Sequence, residues 1–162
     1  MRVLITGANG FVGRELVRCL LARGSLRGQP IDALLVLDRD LHGLPDDSRV
    51  RRHFGSVTDP ALMRRVLADG IDVVFHLVSI PGGAAEEQYD LGYQVNLLAS
   101  LELLNQLRNK RRPPVLVYAM ASGLKQSPDG FDAAVVMTRW MFPYIAFMSF
   151  VALAAGILNT WK

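Results

Sequence analysis

Seven residues near the N-terminus constrain the fold of this 162-residue chain more than any other feature. Gly7-Ala8-Asn9-Gly10-Phe11-Val12-Gly13 spells G-x-x-G-x-x-G directly after the apolar run Val3-Leu4-Ile5, and a helical pattern begins inside it. The first glycine permits a tight turn, the second lets backbone approach a pyrophosphate, and the third lets helix and strand pack closely, with the helix N-terminus facing negative charge. A glycine triplet alone says little. Set between a strand and a helix, it predicts a strand–helix–strand unit that binds a dinucleotide, with Gly7, Asn9, Gly10 and Gly13 in its turn.

The rest of the chain up to about residue 120 supports that unit, because short apolar runs alternate with longer helical patterns. Strands are expected at Arg2 to Thr6, Ala33 to Leu37, Val50 to Phe54, Val73 to Leu77 and Val115 to Tyr118. Four of the five are nearly continuous apolar runs, as strands covered on both faces should be. Helices are expected at about Phe11 to Arg23, ending at Gly24, at Pro60 to Asp69 behind the cap candidate Asp59, and at Glu87 to Lys110. Right-handed crossovers then give an α/β fold with a doubly wound parallel sheet, its strands in the order 3-2-1-4-5 and its cofactor at the switch between the first and fourth.

Asp38 closes the second strand candidate, where a carboxylate accepts from ribose hydroxyls and repels a 2′-phosphate. It therefore favours NAD over NADP, and the adjacent Arg39 is placed to stack on adenine or to tolerate that phosphate. Composition excludes other classes. The net charge of +3 comes from dispersed pairs such as Arg51-Arg52, Arg64-Arg65 and Arg111-Arg112, without aromatic interleaving, so a solvated surface fits better than a nucleic-acid interface. The single cysteine, Cys19, lies in an apolar helical pattern and reads as a buried structural thiol. No disulfide can form within the chain, the opening apolar run is too short for a signal peptide, and a reducing cytoplasmic setting is expected. No metal-ligand cluster is expected either.

Four stretches, in order and at matching spacing, carry a resemblance to a known family: Val3 to Gly13, Gly55-Ser56-Val57-Thr58-Asp59, Val74-Phe75-His76-Leu77-Val78-Ser79 and Gly92-Tyr93-Gln94-Val95-Asn96. Residues 1 to about 123 resemble the extended short-chain dehydrogenase/reductases, the NAD-dependent epimerase/dehydratase group, and within it D-erythronate dehydrogenase-like members. The resemblance implies a Rossmann domain over residues 1–124, with NAD as cofactor and a sugar or sugar acid as substrate. It implies backbone contacts to the pyrophosphate from Phe11 and Val12, and a wall beside the nicotinamide ribose from Leu77, Val78 and Ser79. Asn96, on the fourth helix, would help organise the site, and His76 would be a packed core histidine rather than a base. Ser56-Val57 replaces the Asp-hydrophobe pair habitual at the adenine edge.

Catalysis in that family resembles a hydride transfer assisted by a tyrosine whose pKa is lowered by a lysine four residues on, with a serine polarising the carbonyl. Here the fifth strand candidate runs into Ala119-Met120-Ala121-Ser122, leaving Ser122 one place out of register as the only catalytic candidate. No Tyr-x-x-x-Lys occurs: Tyr118 leads to Ser122 and Tyr144 to Met148. The chain is thus expected to be catalytically incomplete.

After Tyr118 the alternation stops. Residues 125–132 read as a linker, and between Arg139 and Lys162 no residue is charged. Residues 137–162 resemble one transmembrane helix of MurJ/MviN-type lipid II flippases, so the chain reads as a truncated or chimeric joining of two stretches. Trp140 to Leu158 approaches the roughly 20 residues that span a bilayer, with Trp140, Tyr144 and Trp161 near its ends. An apolar helix over 133–162 is expected, either in membrane contact through residues 140–158 or packed on the sheet as a core helix.

Overall fold

The computed structural model describes residues 1–80 and 82–118. Ser122, the linker over 125–132 and the apolar segment over 133–162 lie outside the described residues.

The elements run β1 (Arg2–Thr6), α1 (Phe11–Arg23), β2 (Ser25–Leu26), β3 (Gln29–Pro30), β4 (Ala33–Asp38), β5 (Val50–Phe54), α2 (Pro60–Leu67), β6 (Val73–His76), α3 (Gly82–Glu87), α4 (Tyr89–Gly92), a π-helical segment (Tyr93–Leu98), α5 (Ala99–Arg108) and β7 (Val115–Tyr118). Five strands form one parallel sheet in the order β5-β4-β1-β6-β7, which is the expected 3-2-1-4-5 order of the long strands.

The two faces of the sheet are filled by alternate residues of the same strands. Val3, Ile5, Leu34 and Val36 join Val17 and Leu20 of α1 on one face. Leu4, Leu35, Leu37 and Val74 join Leu62, Val66, Leu103 and Leu107 from α2 and α5 on the other. No helix connects β4 to β5; Leu41 and Leu44 of that loop pack on the first face instead.

Local signals set the helix ends. Asp59 caps α2, its carboxylate accepting from the Ala61 and Leu62 N–H groups at 2.9 and 3.2 Å, with Pro60 in the first turn where no N–H is needed. Gly24 ends α1 in the left-handed conformation, its N–H donating to Leu20.

Three expectations are corrected. Cys19 is exposed, because at 100° per residue it turns away from the inward face of Val17 and Leu20. The single helix expected over Glu87 to Lys110 runs without a break from Tyr89 to Arg108, but its stretch Tyr93–Leu98 is π-helical, and there Ser100 bonds back to the Asn96 carbonyl. Finally, among the described residues β7 is an edge strand, and its Val115, Val117 and Tyr118 are exposed rather than covered on both faces. A short antiparallel β2–β3 hairpin, unforeseen in sequence, closes through Arg27 and Gly28 at positive φ.

Candidate functional site

The turn between β1 and α1 is built to bring bare backbone to the carboxyl edge of the sheet. Gly7 sits at φ +72°, and a Cβ there would lie 2.7 Å from the Val78 nitrogen, so only glycine lets the turn and the stretch after β6 lie this close. A Cβ on Gly13 would lie 2.1 Å from the Gly7 carbonyl oxygen, which is why α1 can start directly against the turn. Gly10 is the N-cap of α1 and makes no side-chain cap hydrogen bond, and the N-terminal end of a helix carries the partial positive charge that favours an anion.

Asp38 faces this turn from the end of β4. One carboxylate oxygen accepts from the Asn9 N–H at 2.8 Å; the other accepts from the N–H groups of Arg39 and Asp40 at 2.7 and 3.3 Å. A carboxylate has about four acceptor positions, so capacity remains for a ribose hydroxyl beside these three bonds. Arg14, which sequence reasoning passed over, donates from Nε to both the backbone and side-chain oxygens of Asn9 at 3.1 and 2.7 Å. The glycine turn is therefore held from both sides, by Asp38 and by Arg14.

A small cleft joins these groups to the neighbouring loops. Its lining includes Gly7, Asp38, Arg39, Ser56, Val57 and Val78, with Leu37, Gly55, Ile80 and Val95 completing it. Ser56 turns inward on its own loop, its hydroxyl accepting from the Thr58 N–H and lying 2.8 Å from the Thr58 hydroxyl. Asn96 clamps the backbone of Ile80: its Oδ1 accepts from the Ile80 N–H at 2.8 Å and its Nδ2 donates to the Ile80 carbonyl at 3.0 Å. Of the residues assigned from the sequence, Gly7, Asp38, Arg39, Ser56, Val57 and Val78 line this opening, whereas Asn9, Gly10, Phe11, Val12, Gly13, Leu77, Ser79 and Asn96 are not in its lining; Ile80 and Val95 were missed because an aliphatic side chain carries no chemical signal.

His76 is buried just behind the cleft, between Thr6 on Nδ1 at 2.6 Å and Ser100 on Nε2 at 3.0 Å. Burial pushes its pKa down to about 4, so it is neutral near pH 7, as a packed core histidine is. Among the described residues there is no cluster that could hold a metal ion.

Residues 3–132 match the model of the NAD dependent epimerase/dehydratase family. The chain belongs to this family. NAD is the family's cofactor, and the glycine turn, the helix N-terminus that follows it and the strand-end carboxylate are the chemistry a dinucleotide requires. Among its relatives, the chain is 43% identical over 122 residues to D-erythronate dehydrogenase of Cupriavidus necator, covering 73% of this chain and 38% of that protein. The Haemophilus influenzae D-erythronate dehydrogenase is 35% identical over 116 residues, covering 71% and 36%. The chain thus spans little more than a third of the curated relatives it matches.

Among solved structures, a nucleoside-diphosphate-sugar epimerase from Agrobacterium tumefaciens superposes with a TM-score of 0.68 at 29% identity, covering 79% of this chain and 39% of that one. Bordetella bronchiseptica WbmF in complex with NAD+ gives 0.63 at 30% identity, covering 72% and 34–35% of its chain. A separate likeness, 55% identity over 47 residues, joins the chain to lipid II flippase MurJ of Burkholderia cenocepacia, covering 29% of this chain and 9% of the flippase. That match is longer than the single helix from which the resemblance was read.

Proposed function

We propose that this chain is the NAD-binding part of a family member acting on a sugar or sugar-acid hydroxyl, and that these 162 residues hold the cofactor without completing the reaction. The observation that carries the reading is the meeting of the α1 N-terminus, the Gly7 backbone and the Asp38 carboxylate at one end of the sheet. Phe11, Val12 and Gly13 open the helix toward the pyrophosphate, and Asp38 receives the adenosine ribose with Arg39 beside it. Leu77, Val78 and Ser79 follow β6 at the side of Gly7, where the chain crosses toward the nicotinamide ribose, while Ser56 and Val57 flank the adenine. NAD, once bound, supplies a hydride acceptor; the tyrosine and lysine that would move the matching proton are absent from this sequence, and Ser122 alone does not replace them.

The likeness to the flippase, together with the charge-free run from Trp140 to Leu158, supports a second role for the C-terminal stretch as an apolar helix in membrane contact. Among the described residues no helix is long and apolar enough to cross a membrane, and the run lies beyond them.

Calorimetric titration tests the cofactor reading. NAD is expected to bind at least about tenfold more tightly than NADP, because a carboxylate beside a 2′-phosphate costs on the order of 1 to 2 kcal/mol. Asp38→Ala should narrow the ratio, and D-erythronate added to the NAD complex should yield no NADH. Equal affinities in the native chain, or steady NADH production, would overturn the assignment.

A further inference from the structure

Thr6 and His76 stand opposite each other on β1 and β6, and both are fully buried away from the cleft lining. Their hydrogen bonds do not stop at the sheet. His76 Nε2 lies 3.0 Å from the Ser100 hydroxyl, and that hydroxyl donates to the Asn96 carbonyl at 3.0 Å. A hydroxyl has a single proton, and here it is committed to Asn96. Ser100 must therefore accept from Nε2–H, which leaves Nδ1 as the bare nitrogen accepting from the Thr6 hydroxyl at 2.6 Å. One tautomer of neutral imidazole satisfies every atom in the series.

The far end of the series reaches the cleft. Ser100 bonds four residues back along its helix, to the residue whose amide grips both the N–H and the carbonyl of Ile80. Beyond Leu77, whose N–H still donates to the Thr6 carbonyl, the chain leaves the sheet and runs past Gly7 to Ile80. Val78 and Ile80 then line the cleft opposite Asp38.

We propose that Thr6, His76 and Ser100 are positioning residues for the dinucleotide, acting through Asn96 to fix the backbone from Leu77 to Ile80. The cofactor part of this inference rests on the NAD reading; the mechanical part does not. Removing the Ser100 hydroxyl takes its bond from the Asn96 carbonyl and strands Nε2–H, so the Asn96 amide loses one of the supports that aim it at Ile80. A loop held in its binding form for only about a tenth of the time raises the apparent Kd about tenfold.

The test measures two quantities on the full chain: NAD affinity by calorimetry, and amide hydrogen exchange at Ile80 compared with Leu4 and Val36 in the central strands. Ser100→Ala should weaken NAD about tenfold and speed exchange at Ile80, leaving the two strand amides unchanged. Ser100→Thr keeps the hydroxyl and should restore both quantities. The inference is overturned if Ser100→Ala leaves Ile80 exchange unchanged, if it speeds Leu4 and Val36 equally, or if threonine fails to restore the protection. Should the native chain bind no NAD, the cofactor reading fails by itself, and Ile80 exchange alone decides whether the series holds the loop.

Discussion

The burial of His76 gives the stability of this fold a pH dependence of its own between pH 6.5 and about 4. In the unfolded chain the imidazole takes up its proton near the ordinary value of 6.5; in the folded chain burial holds that off to about 4. The stability associated with the neutral, bonded form is thus fully present above pH 6.5. It is lost progressively as pH falls from 6.5 toward about 4, because the unfolded state binds the proton first. The gap between the two values corresponds to about 3 kcal/mol, a large share of the roughly 5 to 15 kcal/mol that a domain of this kind possesses. His76→Gln offers an amide N–H and a carbonyl to the same neighbours and does not titrate in this range. Urea unfolding followed by far-ultraviolet circular dichroism, run on both proteins from pH about 7 to about 4.5, isolates the effect, because His53 and the carboxylates are present in both. At pH 7 the native chain should be the more stable by about 1 to 3 kcal/mol, since glutamine cannot reproduce both bonds in full. That advantage should shrink by about 2 kcal/mol or more at the acid end. A difference that stays constant across the range would show that His76 does not remain neutral on folding, and the reasoning would fall.

Two further outcomes are expected. Gly13→Ala places a methyl 2.1 Å from the Gly7 carbonyl oxygen and 2.8 Å from Ala8 Cα, both backbone atoms that cannot turn aside. It should cost about 2 to 4 kcal/mol, lowering the thermal midpoint by several degrees and weakening NAD; an unchanged midpoint would contradict the packing argument. Deleting residues 133–162 from the expressed protein should move the product from the membrane pellet to the supernatant. A native chain that is already monomeric without detergent would refute membrane contact through residues 140–158.

What the sequence revealed and what it hid differ by a physical rule. The boundaries of β1 and α1 were legible because every residue involved states its constraint locally: a β-branched run, a glycine where φ must be positive, a second glycine where a Cβ would strike Gly7. Asp59 and Pro60 announced α2 in the same way. Cys19 misled because it sits among apolar neighbours, whereas burial is decided by angle around the helix rather than by neighbourhood. The π-helical turn in the helix expected over Glu87 to Lys110 was hidden for a different reason. Gln94 to Leu98 contains no proline, and the glycine before it, Gly92, announces a close approach only once Ala85 is known to lie against it. Ser100, whose hydroxyl bonds back to the Asn96 carbonyl in that turn, is itself held by His76, 24 positions away in sequence.

Asp38 shows the limit most clearly. From its place at a strand end it reads as a ribose acceptor, and nothing nearby in sequence suggests another duty. In the fold, its carboxylate is already bonded to Asn9, 29 residues earlier, before any ligand is considered. The charge that we propose discriminates between two cofactors is therefore also bonded to the turn that would receive either of them. Removing it must change affinity for both cofactors as well as their ratio. A site residue found by motif is in this way a minimum description: the motif names the ligand contact, and only the folded chain shows what else the side chain holds in place.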